Sequence, residues 1–281
     1  MDAPVFLAVL AAALCHAGWN AGLKLRIDPA IAITLIAIAA GIVAVPLLPI
    51  FGLPAKASWP YLTASLVIHI FYYVALAEAY RTGDLGQVYP IARGSAPLLT
   101  ALGSLALFSE TPAAAGWAGL LLLTSGVMLL SLRGGREAHI FDRRAVGFAL
   151  ATAITIATYT LVDGRGARLS GNPHAYAAWL FALDGVVMAV FGFIRQRDGL
   201  GKVQASTCWI ALGGGALSMI SYWIAIWAMT VAPIALVAAV RETSVLFAAA
   251  IGYFLLKEPM VLVRILAGAL VMIGLAMIRL S

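Results

Sequence analysis

YPIARGSAPLLTALGSLALFSETP, residues 89–112, is the segment on which the interpretation of the whole chain depends. Most of it is apolar enough to lie in lipid, yet Arg93 sits inside it and Glu110-Thr111-Pro112 ends it abruptly. An arginine at bilayer depth costs about 2.5–3.5 kcal/mol on insertion scales. The fold therefore has to offset the charge of Arg93.

The same pattern returns in VAAVRETSVLFAAAIGYFLLKEP, residues 237–259. Arg241 lies 148 positions after Arg93. The same offset joins two further pairs: Glu110 with Glu258, and Gly126 with Gly274. A constant offset over this length predicts an internal duplication.

The composition identifies the solvent of this protein as lipid. Of the 281 residues, 63% are hydrophobic and 11% are charged, whereas soluble domains carry about 25% charged residues. The net charge of +6 does not indicate nucleic acid, because the basic residues lie in short loops between apolar runs. Cys15 and Cys208 form no motif and are interpreted as small apolar fillers.

A membrane span needs about 20 apolar residues, and ten such spans are predicted. They are residues 4–23, 30–51, 59–80, 85–108, 113–132, 145–163, 173–194, 206–230, 232–255 and 259–279. The polar loop 133–144 separates a first repeat, 1–132, from a second, 145–281. Because each repeat has five spans, the second enters from the opposite side of the membrane. The predicted fold is therefore an all-α membrane protein of two inverted repeats around a central cavity, as in secondary transporters.

The basic loop residues predict the orientation, since basic short loops stay in the cytoplasm. One side carries Lys24, Arg26, Arg81, Arg133, Arg136, Arg143, Arg144, Arg195, Arg197, Lys202 and Lys257, and the other carries Lys56, Arg165, Arg168 and Arg279. We therefore expect both termini on the periplasmic side of a bacterial inner membrane. The N-terminal segment lacks a basic start and a cleavage site, and it is interpreted as a retained first span.

Polar and aromatic residues recur at helical spacing on several spans, and such faces must look away from lipid. The predicted cavity residues are Trp19, Asn20, His69, Tyr73, Glu78, Tyr89, Arg93, Tyr159, Trp227, Arg241 and Glu242. His69 is either a hydrogen-bonded strut or a proton carrier. Asp184, in the middle of span seven, either pairs with a cation or caps a backbone break.

Two interpretations of the arginines stay open. In the first, each arginine forms a structural ion pair, with Glu78 and Glu242 as candidate partners. In the second, each guanidinium binds a substrate carboxylate through two parallel hydrogen bonds. For Arg241 the adjacent Glu242 slightly favours the ion pair. Pro90 and Pro97 are expected to interrupt span four beside Arg93.

Spans five and ten are nearly devoid of polar residues and are placed at the periphery. Their small residues allow close helix approach. The protein is therefore either a monomer, with these spans facing lipid, or a homodimer joined through them.

The two five-span halves, the SETP and KEP turns and the glycine-bearing helix after each turn resemble the EamA type of the drug/metabolite transporter superfamily. Pro97 matches a proline common in that family, while Val245 replaces it in the second half. The RETS run at 241–244 and FYYVALAEAY at 71–80 resemble bacterial amino-acid exporters of the YddG type. The resemblance implies export of aromatic and other neutral amino acids through a cavity formed by spans one to four and six to nine.

The predicted function is alternating-access export of small metabolites, foremost amino acids, across the inner membrane. We expect no catalytic residue, metal or cofactor. The sequence contains no GxxxxGK[ST] loop, so a substrate gradient or a proton has to drive transport. A carrier of nucleotide sugars or phosphorylated metabolites is the first alternative. A lipid-modifying enzyme would need a cluster of His, Asp or Ser near one membrane surface, and loop 133–144 offers His139 and Asp142 without a recognisable spacing. A receptor or scaffold has no need of an inverted duplication.

Overall fold

The structure is a computed structural model that describes residues 1–22, 28–83, 85–131, 143–254 and 262–281. Every regular element in these ranges is helical. The main helices are α1 (Ala3–Gly22), α2 (Pro29–Ala44), α3 (Trp59–Thr82), α4 (Leu85–Phe108), α5 (Ala114–Ser131), α6 (Arg143–Leu169), α7 (Pro173–Arg195), α8 (Ala205–Val231), α9 (Ile234–Arg241), α10 (Ser244–Phe254) and α11 (Leu262–Leu280). Short helical turns follow α2, precede α3 and follow α7.

The described helices have the length and composition of membrane spans. Nine segments of the described chain are long and apolar enough to cross a membrane, and Ala114–Leu129 is a shorter apolar helix. Large apolar side chains such as Leu7, Phe193 and Phe254 are exposed on the outside, as expected for a surface in contact with lipid. The prediction of an all-α, multi-pass membrane protein is confirmed.

Local sequence explains where several helices start. Pro29 and Pro173 occupy first-turn positions of α2 and α7, where a missing N–H costs nothing. Asp28 Oδ1 accepts a hydrogen bond from the backbone N–H of Ala30 at 2.8 Å. Asn172 Oδ1 likewise accepts from the N–H of His174 at 3.0 Å. These side chains satisfy donors that the helix itself leaves free.

The offset of 148 residues relates the helices pairwise: α1 to α6, α2 to α7, α3 to α8, α4 to α9 and α10, and α5 to α11. Helix α1 packs on α8 as its counterpart α6 packs on α3. Helix α2 crosses its own counterpart α7, where a Cβ added to Gly41 would lie 2.7 Å from Gly185 Cα. Nearer the start of α2, Thr34 contacts Gly192, farther along α7, so the two helices run antiparallel.

Helices α5 and α11 show the same antiparallel relation. Gly119 approaches the carbonyl of Gly274, and Gly126 approaches that of Ala267. Counterpart helices that cross in opposite directions require a two-fold axis in the membrane plane. The inverted-repeat architecture is therefore present. Within the predicted repeat boundaries, residues 132–142 of the connecting loop lie outside the described residues.

The glycine faces of α5 and α11 are thus used inside the chain. They form the most extensive helix–helix contact of the described fold. A homodimer through these helices stays a prediction, and it would have to use their outward faces.

The interruption expected at Pro90 and Pro97 does not occur, because α4 runs through both prolines. Membrane helices tolerate proline where neighbouring helices and hydroxyl side chains satisfy the freed carbonyls. The Thr100 hydroxyl donates to the carbonyl of Ala96, the residue before Pro97, at 2.8 Å. The break lies instead in the counterpart segment, at Glu242 and Thr243 between α9 and α10.

Candidate functional site

A central cavity of about 80 Å³ lies where α1, α2, α3, α6, α7, α8 and α9 meet. Its polar and aromatic lining consists of His16, Trp19, His69, Tyr72, Tyr73, Tyr159, Phe181, Asp184, Ser218, Tyr222 and Arg241. This volume admits a few water molecules and is smaller than ordinary ligand pockets. A bound organic solute therefore requires side chains to move apart.

Aromatic rings form one wall of the cavity. His69 stacks on Tyr159, with ring centroids 4.5 Å apart and planes inclined by 21°. Tyr72 and Tyr222 meet the Tyr159 ring edge-on at 5.5 and 5.6 Å. His69 Nδ1 also lies 2.9 Å from the Ser65 carbonyl oxygen. This contact holds the imidazole ring in place. Stacked and edge-on rings of this kind give a stiff apolar surface.

The two arginines are held differently. Arg93 Nε lies 2.8 Å from Glu242 Oε2, and both side chains are buried. The guanidinium of Arg241 lies 5.0 Å from the centroid of the Tyr222 ring, and Arg241 lines the central cavity. The ion pair slightly favoured between Arg241 and Glu242 is therefore wrong. Residues adjacent on a helix point in different directions, and the carboxylate of Glu242 reaches across to Arg93.

Asp163 in α6 and Asp184 in α7 are buried carboxylates on helices that contribute to the central cavity. Asp163 accepts hydrogen bonds from the hydroxyls of Tyr176 at 2.9 Å and Tyr222 at 2.7 Å. Asp184 accepts one from the Tyr73 hydroxyl at 2.7 Å. Of the pair, only Asp184 lines the central cavity.

A larger cavity of about 490 Å³, here termed the vestibule, lies at one end of α2, α3 and α7. Charged residues line it: Asp28, Glu78, Arg81, Arg195, Arg197 and Asp198. Ile33 and Tyr73 line both the vestibule and the central cavity. The hydrogen bond from Tyr73 to Asp184 therefore marks the junction of the two spaces.

At the opposite end of the molecule, here termed the closed end, aromatic and charged side chains of several helices contact one another. Trp223 Nε1 donates to His174 Nδ1 at 2.9 Å, and Phe51 lies against both rings. Arg168, at the end of α6, pairs with Glu110 in the SETP turn. Its guanidinium also donates to two carbonyls at the end of α8, those of Met229 at 2.8 Å and Ala232 at 3.2 Å. The residue 148 positions before Arg168 is Asn20, so the repeat carries no arginine at the position equivalent to Arg168.

The structure brings five of the predicted cavity residues together. Trp19, His69, Tyr73, Tyr159 and Arg241 line the central cavity. Five of the other six predicted residues lie elsewhere.

Asn20 and Arg93 border a small adjoining space, and Glu242 is held by Arg93. Glu78 lines the vestibule and lies 3.3 Å from Arg81, so it is not the partner of Arg93. Trp227 packs against the largest apolar cluster. Of Tyr89 only the backbone is among the described parts of the chain.

Sequence reasoning left two roles open for Asp184, a cation partner and a backbone cap, and did not find Tyr222. A signal for Tyr222 was present, because Ser218 and Tyr222 stand four residues apart and share a helix face. The sequence interpretation followed the tryptophans at 223 and 227 instead, one position further around α8.

A comparison with known families finds a match in the second half of the chain. Residues 143–280 match the family described as EamA-like transporter family. The second half is therefore similar to this family. A solved structure titled "Crystal structure of protein" covers 100% of this chain and 98% of its own, with 19% identity and a TM-score of 0.76. That likeness concerns the fold alone. No curated protein sequence matches.

The half of the chain that matches this family supplies one side of the site. It contributes Tyr159, Asp184, Tyr222 and Arg241, while the first half contributes α1, α2 and α3. The family that matches this half is described as one of transporters. Its description names no substrate, so the resemblance to exporters of the YddG type stays a prediction.

Proposed function

We propose that this protein is a secondary transporter that exports neutral and aromatic amino acids across the bacterial inner membrane by alternating access. The observation that carries the proposal is a cavity between two inverted repeats that combines an aromatic wall with one guanidinium. Secondary transporters place their substrate sites at such repeat interfaces near the membrane midplane.

The aromatic wall suits an apolar or aromatic side chain. Tyr72, Tyr159 and Tyr222 surround the His69 ring within 6.4 Å between centroids. Ring–ring contacts contribute about 0.5–1.5 kcal/mol beyond the area that they bury. A phenyl or indole group in this space would gain contacts that a sugar or phosphate would not.

Arg241 suits the α-carboxylate. Its guanidinium is buried, and its Nε has no hydrogen-bond partner among the described residues. Guanidinium groups bind carboxylates with two parallel hydrogen bonds. Arg93 is compensated by Glu242, so the cavity presents the charge of one arginine. Paired free arginines would have favoured a phosphorylated substrate.

The vestibule and the closed end correspond to one half of an alternating-access cycle. Arg81, Arg195 and Arg197 line the vestibule, and basic short loops stay in the cytoplasm. By this rule the vestibule opens to the cytoplasm, and the termini lie in the periplasm. An exporter loads its substrate in this state.

Counterflow in liposomes tests the proposal. Vesicles that contain the purified protein and unlabelled phenylalanine should accumulate labelled phenylalanine. Arg241→Gln should reduce this uptake at least about tenfold, since hydrogen bonds to charged groups contribute about 1.5–3 kcal/mol. Arg165→Gln is the matched control, because Arg165 is exposed at the end of α6, and its uptake should equal that of the wild type.

Uptake of labelled nucleotide sugars without amino-acid uptake would replace this proposal with the alternative carrier. Absence of flux for both classes would reject transport through this cavity.

A further inference from the structure

Asp184 is a buried carboxylate whose hydrogen bonding is incomplete. Its side chain lies in the middle of α7 and is 5% exposed. Oδ2 accepts from the Tyr73 hydroxyl at 2.7 Å. Oδ1 has no hydrogen-bond partner within the part of the chain that the structure describes. Buried polar atoms are nearly always paired, and charge inside a membrane span indicates a functional role.

Asp163 provides an internal comparison. It is fully buried, and both of its carboxylate oxygens accept hydrogen bonds from tyrosine hydroxyls. Asp163 is absent from the lining of the central cavity, whereas Asp184 is part of that lining. The chain therefore completes the bonding of Asp163 and leaves one oxygen of Asp184, a residue of the cavity lining, without a hydrogen-bond partner among the described residues.

No arginine or lysine of the cavity lining contacts Asp184. Titratable side chains that line the same cavity are His69, Tyr72 and Tyr73 of α3, His16 of α1, Tyr159 of α6, Tyr222 of α8 and Arg241 of α9. Arg241 is the one arginine or lysine in this lining, and it contacts the Tyr222 ring instead of Asp184. The cavity lining thus holds one arginine and one aspartate, and each contacts a tyrosine and not the other.

We propose that Asp184 binds the ammonium group of the substrate, in the place that the Tyr73 hydroxyl partly fills when the site is empty. This assignment rests on the proposed function, and it makes the site complementary to a zwitterion with its carboxylate at Arg241. Tyr73 lines the vestibule as well as the cavity, so a substrate that enters from the vestibule meets the Tyr73–Asp184 contact first. An incoming ammonium donates to Asp184 and displaces the Tyr73 hydroxyl.

Two analogues, each with one of the two charged groups of the substrate, test the roles of Asp184 and Arg241 separately. Phenethylamine carries the ammonium group without the carboxylate, and 3-phenylpropionate carries the carboxylate without the ammonium group. Both should inhibit phenylalanine counterflow by the wild type. Asp184→Asn should weaken inhibition by phenethylamine at least about tenfold and leave inhibition by 3-phenylpropionate within about twofold. Arg241→Gln should give the reverse pattern.

Tyr73→Phe gives a second test with the opposite sign. It removes the hydroxyl that competes for Asp184, so phenethylamine should inhibit several-fold more strongly than in the wild type. A merely structural role of the Tyr73–Asp184 contact cannot improve ammonium binding. This variant also keeps the proposal testable if Asp184→Asn yields too little folded protein, as judged by size-exclusion chromatography.

Equal weakening of both inhibitors by Asp184→Asn, or failure of phenethylamine to inhibit the wild type, would overturn the assignment while amino-acid transport stands. Wild-type vesicles without any amino-acid counterflow would instead reject the proposed function and this assignment with it.

Discussion

At the residue scale, two arginines that an internal repeat makes equivalent have different environments. Arg93 meets Glu242, the residue next to its own counterpart Arg241, so the pseudo-two-fold axis passes close to both arginines. The position equivalent to Glu242 in the first half is Gly94. Because the duplication supplies one carboxylate for two arginines, Arg93 is neutralised and Arg241 faces the cavity.

The buried pair leads to a stability prediction. Arg93→Met leaves Glu242 buried without its partner and should lower the free energy of unfolding by about 3–5 kcal/mol. The double variant Arg93→Met/Glu242→Met removes both charges and should recover most of that loss. Melting temperatures of the purified variants in detergent measure the difference. A double variant as unstable as the single one would show that the pair is not coupled.

Helical spacing located part of the site from sequence. It placed Trp19, His69, Tyr73 and Tyr159 on inward faces, and the structure brings these side chains together. Spacing does not say how far each face is rotated about its helix axis. One position turns a helix by about 100°, which is why Tyr222 was missed and Trp227 packs into the apolar cluster.

At the element scale, close helix crossings hold the two halves together. A Cβ on Gly41 would lie 2.7 Å from Gly185 Cα and 3.1 Å from the Phe181 carbonyl oxygen. Both contacts are with backbone, so α2 and α7 have to separate to admit a methyl group. Only glycine allows this approach at the crossing of α2 and α7.

Gly41→Ala should therefore destabilise the protein by about 1–3 kcal/mol, the usual cost of overpacking. Gly213→Ala in α8 is the matched control, since a Cβ there meets nothing within 4 Å. The control should melt at the wild-type temperature or slightly above, because alanine favours helix over glycine. Equal melting temperatures for Gly41→Ala and Gly213→Ala would mean that the crossing is looser than described.

The internal repeat predicted which helices are counterparts, but the prolines predicted the helix break in the wrong segment. Prolines mark candidate interruptions in a sequence, and α4 contains two of them. The break lies in the segment equivalent to α4, at Glu242 and Thr243, where the sequence has no proline. Its position follows from the need to bring the Glu242 carboxylate to Arg93. A long-range contact of this kind leaves no local signal.

At the scale of the whole molecule, the architecture follows from the odd number of spans in each repeat. A five-span unit that is duplicated enters the membrane from the opposite side, and a cavity at the interface then has two equivalent routes out. In this structure the vestibule occupies one route, while the Arg168–Glu110 latch and the ring cluster of Trp223, His174 and Phe51 close the other. The sequence predicted the axis and the cavity, but not which end is closed, because both ends derive from the same duplicated segment.

Site-directed labelling of the central cavity is the most direct test that it is an alternating-access path. Ser218 lines this cavity, so Ser218→Cys would be placed in a chain whose native Cys15 and Cys208 are replaced by serine. Right-side-out and inside-out vesicles would be treated with a membrane-impermeant maleimide.

We expect Ser218→Cys to react rapidly from the vestibule end and slowly, but measurably, from the closed end. Phenylalanine should slow the reaction from both ends. Labelling from one end only, unchanged by phenylalanine, would contradict the account.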